Sequence, residues 1–85
     1  MIVRKPTPEE IKTSDSWGIW RKEPSVFPWA YDVRETCYIL EGAATVTDKD
    51  GNTISFGPGD WVEFEEGLHC TWKISETIRK RYRMG

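Results

Sequence analysis

The turn sequences of this chain constrain its fold more than any other feature. Glu23-Pro24-Ser25, Asp48-Lys49-Asp50-Gly51-Asn52 and Gly57-Pro58-Gly59-Asp60 punctuate it, and the Asp50-Gly51 pair favours the positive φ of a hairpin turn. Between these turns lie short runs rich in aromatic and β-branched residues. Strands are expected at 17–22, 26–32, 35–40, 43–47, 53–56, 61–64, 69–74 and 77–83. The runs 35–40 and 43–47 are expected to meet at a tight Glu41-Gly42 turn. Residues 2–5 add a short edge strand limited by Pro6. Short strands at this spacing predict an all-β sandwich or barrel. The one helical signal is a single turn near the start. Thr7 suits its N-cap, Pro8 its first position and Glu10 the reciprocal position of a capping box.

The 85 residues make a single domain, 1–85. A chain of this size buries only about 60–65% of the surface its unfolded form exposes, so it needs efficient packing or a second copy. Five Trp, three Tyr and three Phe supply the bulk for that packing. Twelve basic against fourteen acidic residues, a formal net charge of −2, gives no reason to expect nucleic acid or a membrane surface as partner. Two cysteines far apart in sequence do not form a disulfide framework. No apolar run approaches the roughly 20 residues of a membrane span. The first residues carry no signal-peptide pattern, so a cytoplasmic location is the expectation.

Alternation sorts the faces of the clearest strand. Cys70, Trp72 and Ile74 are apolar, and His69, Thr71 and Lys73 are polar, so Cys70 is expected to point inward and His69 outward. Residues 35–40 carry bulk on both faces, which implies that the N-terminal segment or a second subunit covers the outer one.

Two stretches carry a family resemblance. Glu35-Thr36-Cys37-Tyr38-Ile39-Leu40-Glu41-Gly42 has an E-x6-G spacing. Gly59-Asp60, followed by Gly67-Leu68-His69-Cys70-Thr71-Trp72, holds the glycine spacing of a second motif, with sixteen residues between Gly42 and Gly59. Together they resemble the paired motifs of the cupin superfamily, in the small single-domain group that includes the (S)-ureidoglycine aminohydrolase cupin domain. The likeness covers about residues 17–82. It implies a cupin-type jelly-roll β-barrel, a double-stranded β-helix, with a short N-terminal helical turn.

The resemblance also implies a metal held by three His and one Glu, and most of those positions are changed here. The first-motif histidines fall on Trp29 and Tyr31, and the second-motif histidine falls on Cys70. Only Glu35 matches a ligand type. One carboxylate and one thiol fall short of a zinc or non-haem iron donor set, so no metal or other cofactor is expected. A divalent ion near Glu35 and Cys70, with a Tyr31 phenolate, is the alternative. The favoured reading places Glu35 inside an apolar barrel, hydrogen-bonded to Tyr or Trp donors.

Trp29, Tyr31, Glu35, Cys70 and Trp72 are therefore the candidate ligand-binding set, an aromatic pocket with a carboxylate for a small organic ligand. The competing reading of the aromatics is plain core, and of Cys37 and Cys70 small buried hydrophobes. No catalytic residue is assigned. In the basic tail, Arg79, Arg81 and Arg83 share a face opposite Lys80 and Tyr82, which reads as a charged edge strand exposed to water. The leading expectation is a homodimeric binding module for a small molecule. The alternatives are a metal-dependent enzyme related to ureidoglycine aminohydrolase, and a structural or interaction dimer.

Overall fold

A computed structural model describes all of residues 1–85. Seven strands and one short helix run in the order β1 (Ile2–Arg4), α1 (Pro8–Thr13), β2 (Gly18–Lys22), β3 (Ser25–Ala30), β4 (Glu35–Asp48), β5 (Thr53–Phe56), β6 (Trp61–Phe64) and β7 (His69–Met84). Every strand pairing is antiparallel.

The two long strands β4 and β7 organise the barrel. The first half of β4 pairs with β6 and with the second half of β7, which also pairs with β2; β1 extends this sheet beyond β6. The second half of β4 pairs with β5 and with the first half of β7, which also pairs with β3. Two short sheets thus share β4 and β7, and the core fills the space between them. Phe64 of the first sheet meets Trp72 of the second at 5.5 Å between ring centroids, and Phe56 at 6.3 Å. Ile39, Val46, Val62 and Ile78 are fully buried around these rings.

The expected Glu41-Gly42 turn is not a turn. Residues 35–48 are one continuous strand, as are residues 69–84, and their register shifts between Ile39 and Ala44. Gly42 sits in that irregularity with φ +93°. A positive-φ glycine serves a β-bulge as well as a hairpin, and the partner strand beside it decides between them. The bulge bends β4 so that it leaves one sheet and joins the other.

At the N-terminus the sequence signals hold. Thr7 accepts from the Glu10 amide, and the Glu10 carboxylate accepts from the Thr7 amide, so the capping box is complete. The outer face of β4 is covered from within the chain. Tyr38 and Trp61 are cross-strand partners on that face, Trp17 packs on Trp61 at 5.2 Å, and the Arg4 guanidinium lies over the Trp61 ring. No helix is long and apolar enough to cross a membrane.

Candidate functional site

Between the two sheets, beside β2 and β3, lies a cavity of about 600 Å³. Trp20, Lys22, Glu35, Lys80, Tyr82 and Met84 wall it from the first sheet. Phe27, Pro28, Trp29 and Trp72 wall it from the second, with Tyr31 from the segment after β3. Phe27 stacks on Trp72 at 6.0 Å, and Trp20 meets the edge of Trp72 at the same distance. Trp29 is half exposed and Lys22 partly exposed, which leaves the cavity a mouth.

The alternation of β7 builds the polar part of this wall. Cys70, Trp72 and Ile74 are buried and His69, Thr71 and Lys73 exposed, as the pattern predicts. The same parity continues along the strand and turns Ile78 and Lys80 inward. Strand β7 is central, with β4 on one side and β2 on the other, so the reading of its basic end as a water-exposed edge is wrong at Lys80. Across the strands Lys80 stands beside Ile39 and Trp20.

Lys80 is the partner of Glu35. Its Nζ donates to Glu35 Oε2 at 2.9 Å, with both side chains about 5% exposed. The ammonium also lies 4.7 Å from the ring centroids of both Trp20 and Trp72. A buried carboxylate needs a charge or donors beside it, and here a lysine supplies the charge. The expected aromatic donor is matched by the Tyr31 phenol, which interacts with Glu35, but the lysine beside it was not foreseen. Two tryptophan faces assist the lysine, because their π electrons attract a desolvated cation.

Tyr31 is buried, stacked on Phe64 at 4.9 Å, and held by its backbone to Leu68 and Gly67. Burial raises its phenol far above the ordinary tyrosine value, and the adjacent Glu35 charge adds to this. Cys37 is fully buried behind the wall, and burial pushes its thiol up to about 12. Cys70 is buried but does not line the cavity. Its Sγ donates to the Trp29 carbonyl at 3.5 Å, and its thiol is raised by burial and then by Asp48, Glu35 and Glu65.

The structure thus brings Trp29, Tyr31, Glu35 and Trp72 around one cavity and leaves Cys70 outside it. It adds Lys80, Trp20 and Phe27, which sequence reasoning did not place there. The parity of Lys80 with Tyr82, opposite three arginines, was the available signal.

The donors do not fit the metal implied by the cupin likeness. No three His, Cys, Asp or Glu side chains converge on a point. The Glu35 carboxylate already faces an ammonium, the Tyr31 phenol stays protonated, and the Cys70 thiol points to a carbonyl.

Residues 10–82 match the family model of the EutQ-like cupin domain. A DUF861-family protein from Thermotoga maritima shares 48% identity, with 99% of this chain and 98% of that one covered and a TM-score of 0.95. The Clostridium difficile EutQ protein superposes with a TM-score of 0.72 at 19% identity, over 79% of this chain and 52% of its own. A putative ethanolamine utilization protein Q from Salmonella typhimurium does so with a TM-score of 0.72 at 21% identity, over 96% and 66%. At those identities the two EutQ likenesses show the fold alone. No curated protein matches the chain.

Proposed function

The chain belongs to the EutQ-like cupin family, and on that premise we propose that it is a binding module for a small organic ligand held between its two sheets. The observation that carries this reading is the cavity itself. Its volume of about 600 Å³ suits a compact organic molecule, its walls are mainly aromatic, and its one buried ion pair is Glu35–Lys80, with the Tyr31 phenol beside it. A core built only for stability gains nothing from a buried ion pair, which apolar residues of the same volume replace without loss. A site that must orient a polar ligand does gain from it, because fixed charges set the ligand's direction.

In this reading Trp20, Trp72 and Phe27 form the flat inner walls, Glu35 and Lys80 the polar anchor, and Trp29 the flap at the mouth. The metal chemistry of other cupins plays no part, since the anchoring carboxylate is neutralised by an ammonium within the chain.

The test is a fragment screen by NMR, following the indole N–H signals of Trp20, Trp29 and Trp72. Binders are expected to shift these signals together. Trp29→Ala is expected to weaken them about tenfold, roughly the value of one lost aromatic contact, without loss of the fold, because Trp29 is 50% exposed. A screen in which compounds of every charge leave the three indoles unmoved would refute the reading.

A further inference from the structure

Lysine, glutamate and tryptophan around one cavity define more than a general binding site. The ionisable acidic and basic side chains in the wall are Lys22, Glu35 and Lys80, two cations and one anion, so the wall carries one positive charge in excess. Lys80 has three N–H donors. One is taken by Glu35, two tryptophan faces flank the group, and no second protein acceptor receives a hydrogen bond from it. Lys22 lies partly exposed at the mouth, its Nζ 5.2 Å from the Phe27 ring and otherwise without a carboxylate partner.

We infer that the ligand is a small monoanion with a flat apolar body, in the simplest case an aromatic carboxylate, bound to Lys80 as a fixed internal cation. The inference rests on the cavity reading above. A carboxylate on the far side of Lys80 from Glu35 meets the ammonium at about 3 Å and the Glu35 charge at about 5–6 Å. Coulomb energy falls as the inverse of distance, so the attraction outweighs the repulsion nearly twofold. Lys22 then balances the charge that remains. A cationic ligand beside Glu35 meets the same distance balance, but it adds to the excess positive charge that Lys22 gives the wall instead of cancelling it. A neutral amide accepts the free Lys80 donor but leaves the excess charge uncompensated. The aromatic walls select the body: Phe27 and Trp72 lie nearly parallel, with 12° between their planes, and Trp20 closes a third side.

The experiment compares benzoate, phenylacetate and hydrocinnamate with their amides and with benzylamine, by tryptophan fluorescence and indole NMR shifts. At least one carboxylate is expected to bind about tenfold or more tighter than its amide, the usual margin for a hydrogen bond to a charged group, with the amine weakest and added salt reducing the margin. Lys22→Met, a change at a partly exposed position, is expected to narrow the carboxylate preference severalfold. The double variant Glu35→Met with Lys80→Met leaves no unpaired buried charge and is expected to reduce the carboxylate preference to the severalfold margin that Lys22 supplies. Equal binding of acid and amide by the unaltered protein, or a preference undiminished in the double variant, overturns the inference while leaving the cavity reading in place. Failure of every probe to move the indoles overturns both.

Discussion

Lys80 Nζ lies 2.9 Å from Glu35 Oε2 although forty-five positions separate the two residues. Glu35 opens β4 and Lys80 lies near the end of β7, and the antiparallel pairing of those strands brings both to one inner face. Moving two ions out of water costs several kcal/mol each, and their attraction repays this only while both are present. Lys80→Met is therefore expected to lower stability by about 3–5 kcal/mol, a large share of the total for so small a domain. Glu35→Met in the same chain should restore most of the loss. Urea denaturation of the two single variants and the double variant measures the cycle. Additive losses would show that the pair is not energetically coupled.

Two glycines of similar backbone conformation are expected to respond differently to alanine. Gly42 has φ +93° and a Cβ there would stand 2.1 Å from the Thr77 carbonyl oxygen; Gly67 has φ +83° and open space around it. Gly67→Ala should cost only the left-handed backbone strain, about 1–2 kcal/mol. Gly42→Ala adds a clash with the backbone of β7, about 1–3 kcal/mol more. Similar denaturation midpoints for the two variants would count against the close passage of β7 over the bulge.

The two free thiols are expected to be inert in the native protein. Cys37 is fully buried with its thiol raised to about 12, and Cys70 is raised by burial and by neighbouring carboxylates. A thiol reacts as its thiolate, which neither group forms readily near neutral pH. Ellman's reagent at pH 8 should find almost no reactive thiol until guanidinium is added, and then both. Rapid labelling of one native thiol would point instead to an activated Cys70.

Acid should release the N-terminal segment late. Glu10 accepts from Arg4 at 2.8 Å and from the Thr7 amide at 2.9 Å, and these bonds lower its pKa from 4.5 to about 2, the Arg4 bond most. The folded value lies below the unfolded one, so the contribution is complete above about pH 4.5 and is lost as pH falls through about 2. An NMR titration of the Glu10 carboxyl carbon should give a midpoint near 2, moving up in Arg4→Gln. A midpoint in the ordinary glutamate range in the unaltered protein would remove the Arg4 contact from the account.

The sequence alone determined what depends on neighbours along the chain. The Asp-Gly and Gly-Pro-Gly turns, the capping box at Thr7 and Glu10, and the alternation that sends Cys70, Trp72 and Ile74 inward are local rules, and each appears in the fold. The cupin motifs added the barrel class and a pocket containing Trp29, Tyr31, Glu35 and Trp72. The partner of Glu35 was not legible, because an ion pair is a relation between strands and not within one. A lysine among three arginines reads as surface until β2 and β4 are known to flank its strand. Whether Gly42 made a turn or a bulge likewise depended on how far β7 runs beside it. Only the tertiary structure decided these points, because pairing partner and register choose which inward face meets which.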